Sequence, residues 1–151
     1  MARLRECAIA LQDYEHKLDP RLPTGADIVA DSMPRMFFRC RHSDGKILIA
    51  EVDDAVVGYT MVLARVTSDE LEDGNLEYGL ITDLFVLQEH RGLGVGRRLL
   101  EAAEAHARDR GVRWLRIGAL AKNAAAEGLY SKAGFSRIYV EREKDLTNQS
   151  E

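Results

Sequence analysis

The sequence predicts an α/β (α+β) fold, strands and helices mixed along one chain, and three observations predict it. Leu4, Cys7, Ala8, Leu11, Tyr14 and Leu18 recur at spacings of three and four, which marks one face of a helix. Two short apolar runs, Lys46 to Val52 and Ala55 to Val66, flank the turn Asp53-Asp54 and read as a hairpin. The apolar run Leu76 to Leu87 leads into a glycine-rich loop, and that loop opens into a helical pattern at Leu99, Leu100, Ala103 and Ala107.

The elements follow in order. Pro20 and Pro23 end the first helix, and Thr24 with Asp27 three residues on forms an N-cap signal for a second helical stretch running toward Arg41. Pro34 lacks a backbone donor and predicts a break there, so this stretch reads as two short helices. After the hairpin, Thr67 to Asn75 is polar and reads as an exposed connection. Gly79 inside the next strand predicts a bulge or a close backbone approach. The helix Val95 to Arg110 stops at Gly111. Val112 to Ala119 reads as a strand, Asn123 to Ala133 as a helix ended by Gly134, and Phe135 to Glu143 as a last strand. A length of 151 residues without repeat or linker suits one domain over residues 1–151.

Composition narrows the function. Hydrophobic residues at 46% and charged residues at 30% describe an ordinary globular chain. A net charge of −4 with interspersed signs offers no basic face, which argues against nucleic acid. No apolar run reaches signal-peptide or membrane-spanning length. Cys7 and Cys40 stand apart without CxxC spacing, so a reduced, cytoplasmic setting is expected. His16, His42, His90 and His106 are scattered, and no metal site is expected.

Gly92, Gly94 and Gly96 let the backbone turn sharply and bring N–H groups to an anion beside a helix N-terminus, and Arg91, Arg97 and Arg98 add cations. A ligand-free strand-to-helix turn uses the same residues. A Walker loop would need Gly-Lys-Ser/Thr where Gly96-Arg97-Arg98 stands, and the dinucleotide fingerprint has a different glycine spacing and opens a βαβ unit. Nucleotide hydrolase and dehydrogenase both lose ground.

The run from Leu84 through Arg91-Gly92-Leu93-Gly94-Val95-Gly96 to Leu100 resembles motif A of the GNAT superfamily of acyl-CoA N-acyltransferases, and Asn123 to Phe135, with its Tyr130 and Gly134-Phe135, resembles motif B. The resemblance covers roughly residues 46 to 140. It implies a mostly antiparallel central sheet with helices on both faces and a splayed central strand pair that holds acetyl-CoA as co-substrate. On the matching positions, Phe85, Val86 and Leu87 would contact pantetheine through main chain, with ordinary strand core as the other reading. Arg91, Gly92, Leu93, Gly94, Val95 and Gly96, with Arg97, would cradle the pyrophosphate. Asn123 matches a cofactor-binding position, although as an N-cap it needs no ligand. Tyr130 matches the tyrosine that serves as general acid beside the sulfur, against a packing role.

The family's catalytic base is not obvious. The glutamate that N-terminal acetyltransferases carry five residues before the motif B Asn is Gly118 here. Asp83 and Glu77 remain as candidates on the strand before the loop, each equally readable as a solvated or hydrogen-bonded strand residue. Phe37 and Phe38 line an amine pocket or pack in the core. The expected activity is acetyl transfer to a small-molecule amine, with a protein N-terminus or a non-catalytic acetyl-CoA-binding module as alternatives. The family's opening strand is missing or truncated, and the edge it leaves predicts a homodimer.

Overall fold

A computed structural model describes residues 1–147 of the chain. Helix α1 (Ala2–Leu18) leads into α2 (Gly25–His42), whose first turn is closed by a capping box: Thr24 Oγ1 accepts from Asp27 N, and the Asp27 carboxylate accepts from Thr24 N. The expected break at Pro34 does not occur, and α2 runs through it as one helix. Pro34 is exposed and removes a single donor, while Val29 and Met36 are buried on either side and hold the axis.

Strands β1 (Lys46–Val52), β2 (Ala55–Thr67) and β3 (Glu77–Val86) pair antiparallel, and β4 (Leu115–Ile117) pairs parallel to β3, giving the order β1-β2-β3-β4. Alternation along β2 builds two cores. Tyr59, Met61 and Leu63 pack with Leu4 and Cys7 of α1, Met36 of α2 and Phe85. Val62, with Ile81, meets Leu100, Ala103 and Ala107 of α3 (Val95–Asp109) on the opposite face. Helices therefore cover both faces of a mixed, mostly antiparallel sheet. Phe37 packs at the edge of the first core, whereas Phe38 is exposed and stacks on His42.

Two irregularities shape β3. Opposite Gly79, β2 carries an extra residue between Leu63 and Val66, and Ala64 N and Arg65 N both donate to Ser43 O at 2.9 Å. Gly79 itself donates to Trp114 O at 2.8 Å, and a Cβ there would sit 2.9 Å from Val112 Cγ1, so the glycine admits β4. The bulge within β3 falls at Thr82, where Met61 pairs with Asp83 but Val62 with Ile81. That extra residue changes the face: Ile81 points to the α3 core, while Asp83 turns to the α1–α2 side.

β3 and β4 pair only at Gly79–Ile81 with Leu115–Ile117 and then part, leaving Thr82 to Val86 without a partner on that side. This is the splay. Beyond it lies α4 (Ala124–Lys132), ended by Gly134 at φ +94°. The last expected strand is absent among the described residues. Phe135 to Glu143 has no ladder, since β4 is three residues long and nothing else reaches it, and Ile138, Tyr139 and Val140 are exposed. Bonds from the Arg21 guanidinium to the Glu143 carboxylate at 2.6 and 2.9 Å tie this segment to the turn between α1 and α2.

Candidate active site

The splay opens a cavity of about 310 Å³. Leu84, Phe85 and Val86 form one wall, Asn123, Ala126, Leu129 and Tyr130 the other, Leu11 and Tyr14 of α1 cover it, and the glycine loop closes one end. Gly92 at φ +75° and Gly94 at φ +83° hold left-handed backbone that a side chain would strain. Gly94 is the N-cap of α3 and has no side chain to satisfy the first-turn N–H groups, and the first helical bond runs from Arg98 N to Gly94 O. Gly96 needs no special backbone. A Cβ there would touch Leu129 Cδ2 at 3.4 Å, so its absence keeps the end of the cavity open between α3 and α4.

The residues expected to hold a cofactor divide. Phe85, Val86, Arg91, Gly92, Gly94, Gly96, Arg97, Asn123 and Tyr130 line this cavity. Leu87, Leu93 and Val95 do not: Leu87 donates its N–H to Val57 O and faces the first core, and Leu93 is exposed. Arg91 is also braced from within. Its Nε donates to Val86 O at 2.8 Å, and its guanidinium lies 5.0 Å from the Tyr14 ring centre and 5.4 Å from that of Phe85. It therefore joins α1, β3 and the loop. Arg97 pairs with Glu101 one turn on, at the exposed rim. Asn123 Oδ1 accepts from Ala126 N at 3.1 Å and caps α4, so it serves as the cap while facing the cavity.

Tyr130 is half-buried, with its ring edge-on to Phe135. Burial, then the charges of Glu15 and Glu127, push its phenol up to about 12. It is protonated at neutral pH.

A second cavity, of about 360 Å³, lies between α1, α2 and the sheet and shares Leu11 with the first. Asp83 lines it, accepting a hydrogen bond from Tyr59 Oη at 2.9 Å. Burial pushes the Asp83 carboxyl up, against the opposing pull of its hydrogen bond from Tyr59 and of the Arg39 charge. Glu15 lines the same cavity, and burial followed by the Asp83 charge pushes it up too. Glu77 is elsewhere: it is the exposed first residue of β3 and lines neither cavity.

Glu15 is the residue that sequence reading missed. It stands seven residues after Ala8 and four after Leu11, on the stripe that reads as core, and a carboxylate on an apolar stripe was the available signal. The histidines do other work: His16, His42 and His106 each set a ring nitrogen against a backbone carbonyl. Among the described residues no helix is long and apolar enough to cross a membrane, and no group of three metal-capable side chains occurs.

The model of the acetyltransferase (GNAT) family matches residues 11–135, which contain both cavities' principal walls. This chain belongs to the GNAT family. Similar proteins include the mycothiol acetyltransferase of Cellulomonas flavigena, 36% identical over 96 residues (62% of this chain and 27% of that protein). The N-acetyltransferase YhfO of Bacillus subtilis is 30% identical over 97 residues (64% of this chain and 62% of that protein). The chain thus matches less than two thirds of the length of either relative. A putative acetyl transferase from Pyrococcus furiosus shares the GNAT fold at a TM-score of 0.69, with 20% identity and 93% of each chain covered.

Proposed function

We propose that this GNAT protein moves an acetyl group from acetyl-CoA to the primary amine of a small molecule, the donor lying in the splay cavity and the acceptor in the cavity beside it. The observation that carries the reading is the adjacency of the two cavities, which share Leu11 as a lining residue, with a protonated phenol on one side and two carboxyls on the other. The donor's pyrophosphate fits the left-handed glycines and the uncapped start of α3, where N–H groups and the helix dipole favour anionic oxygens.

An amine reaches a protein at neutral pH as an ammonium and must lose a proton before it attacks. Asp83, with Glu15 beside it, takes that proton, and the upward shift of both carboxyls brings their basicity nearer the amine's. The C–N bond then forms at the thioester carbonyl, and the C–S bond breaks as the intermediate collapses. In this reading Tyr130, which lines the same cavity as the proposed donor, protonates the sulfur. A phenol near 12 facing a thiol near 8.5 would pay roughly 5 kcal/mol for a free-standing transfer. The transfer is therefore concerted: Tyr130 passes its proton to sulfur while accepting one from the nitrogen of the intermediate, and no phenolate accumulates.

Thiol release from acetyl-CoA with a panel of amines tests the reading. Turnover with at least one amine, falling about 100-fold in Tyr130→Phe while acetyl-CoA affinity holds, supports it. Tight acetyl-CoA binding with no turnover for any amine would leave a binding module instead. The reading also carries a cytoplasmic setting and pairing of two chains through the open edge of β1, which a solution mass measurement tests.

A further inference from the structure

The second cavity is divided by charge. On its α2 wall, Ser32, Arg35 and Arg39 follow one another at helical spacings of three and four and so form a single stripe. Both arginines are exposed at the rim. Opposite them lie Glu15 on α1 and Asp83 on β3, the latter fixed by Tyr59. None of these four charged side chains takes part in an ion pair within 4.0 Å among the described residues, although all four line one cavity. The two signs are thus held apart across an opening. Arg21, by contrast, closes directly on Asp19 and Glu143.

Resting on the acetyl-transfer reading, we propose that the acceptor is a small amine that also bears a carboxylate, an amino acid in the broad sense, with its ammonium at Glu15 and Asp83 and its carboxylate at Arg35 and Arg39. A guanidinium one turn from another offers a fork of donors that suits a planar carboxylate. The same arginines repel the second cation of a diamine, so the cavity selects by repulsion as well as attraction. A volume of about 360 Å³ stands at the small end of ligand cavities and suits a single small acceptor. In the reaction the ammonium gives one proton to the carboxylates, the C–N bond forms at the thioester carbonyl, and as the intermediate collapses the C–S bond breaks while the nitrogen's second proton leaves by way of Tyr130 to the sulfur. The acceptor's carboxylate keeps its charge throughout and serves only to orient.

The test compares α-, β- and γ-amino acids with their primary amides and with diamines of equal length, by thiol release. Some acid should exceed its amide by about tenfold or more in kcat/KM, chiefly through KM, because a charge-assisted hydrogen bond is lost in the amide. The double variant Arg35→Met/Arg39→Met should bring that ratio close to one. A preference for diamines or amides, or a double variant that lowers acid and amide alike, overturns the proposal. Failure of acetyl transfer itself is distinguishable, because it shows as no thiol release with any compound. Calorimetric titration of the same acids and amides into protein saturated with CoA then decides: tighter binding of the acid, abolished in the double variant, sustains the charge-divided cavity, and equal or absent binding refutes it.

Discussion

Replacing Tyr59 by Phe removes one hydroxyl from a fully buried ring and deprives half-buried Asp83 of the donor at 2.9 Å. When Asp83 is ionised this hydrogen bond is charge-assisted, and its loss costs about 1.5–3 kcal/mol; when Asp83 is protonated the loss is nearer 1 kcal/mol. For a chain of this size the larger figure lowers Tm by about 3–12 °C. The sign of the pH dependence follows from the shift. Asp83 holds its proton more tightly folded than unfolded, so stability declines as pH rises from the ordinary carboxylate value through the raised one and is level above it. Removing the Tyr59 donor raises Asp83 further and extends that decline, so the gap between variant and parent widens with pH. Urea unfolding at about pH 5 and about pH 8, repeated in an Asp83→Asn background, measures the coupling. In that background Tyr59 still finds a carbonyl oxygen, and its loss should cost about 1 kcal/mol at both values. An equal, pH-independent loss in both backgrounds would mean that Tyr59 contributes packing and not a bond to a charge.

Gly94→Ala puts a side chain at φ +83° and should cost about 1–2 kcal/mol in thermal unfolding while weakening acetyl-CoA binding; an unchanged Tm would show that the loop relaxes. Asn123→Ala should lose about 1 kcal/mol of stability, whereas Asn123→Asp, which keeps the cap, should lose little; an equal loss in both would disprove the capping role. Glu15→Gln should slow turnover and shift the acid limb of the kcat profile, with acetyl-CoA affinity unaltered, and an unmoved pH profile would exclude Glu15 from the proton path. Arg91→Lys keeps a positive charge but loses the Nε–H to Val86 O and the planar stacking on Tyr14 and Phe85, so acetyl-CoA affinity should fall; wild-type affinity would mean that charge alone suffices there.

The parts of the fold that were legible in the sequence are those governed by local periodicity and backbone chemistry. Leu99, Leu100, Ala103 and Ala107 announce α3, and the left-handed φ values of Gly92, Gly94, Gly111 and Gly134 are what glycine is for. What failed depended on partners. Phe135 to Glu143 has strand-like residues, but a strand is a pairing and no neighbour supplies it. Pro34 reads as a break from its own chemistry, and only the burial of Val29 and Met36 explains why α2 continues. In the site, Asp83 and Tyr130 were within reach through the resemblance of their motifs. Glu15 was not, because a carboxylate's role on an apolar stripe depends on which strand residue the fold sets against it. The slip at Thr82 that brings Asp83 round leaves no mark in the sequence at all.

That slip has a consequence for how such a protein can change. One strand, β3, walls the splay cavity with Leu84, Phe85 and Val86 and, on the other side of a single displaced residue, serves the second cavity with Thr82 and Asp83. The two jobs are divided along its length. Substitutions on α2 can therefore reshape the second cavity without disturbing the wall that β3 gives the first, so the space each cavity offers can be rewritten independently of the other.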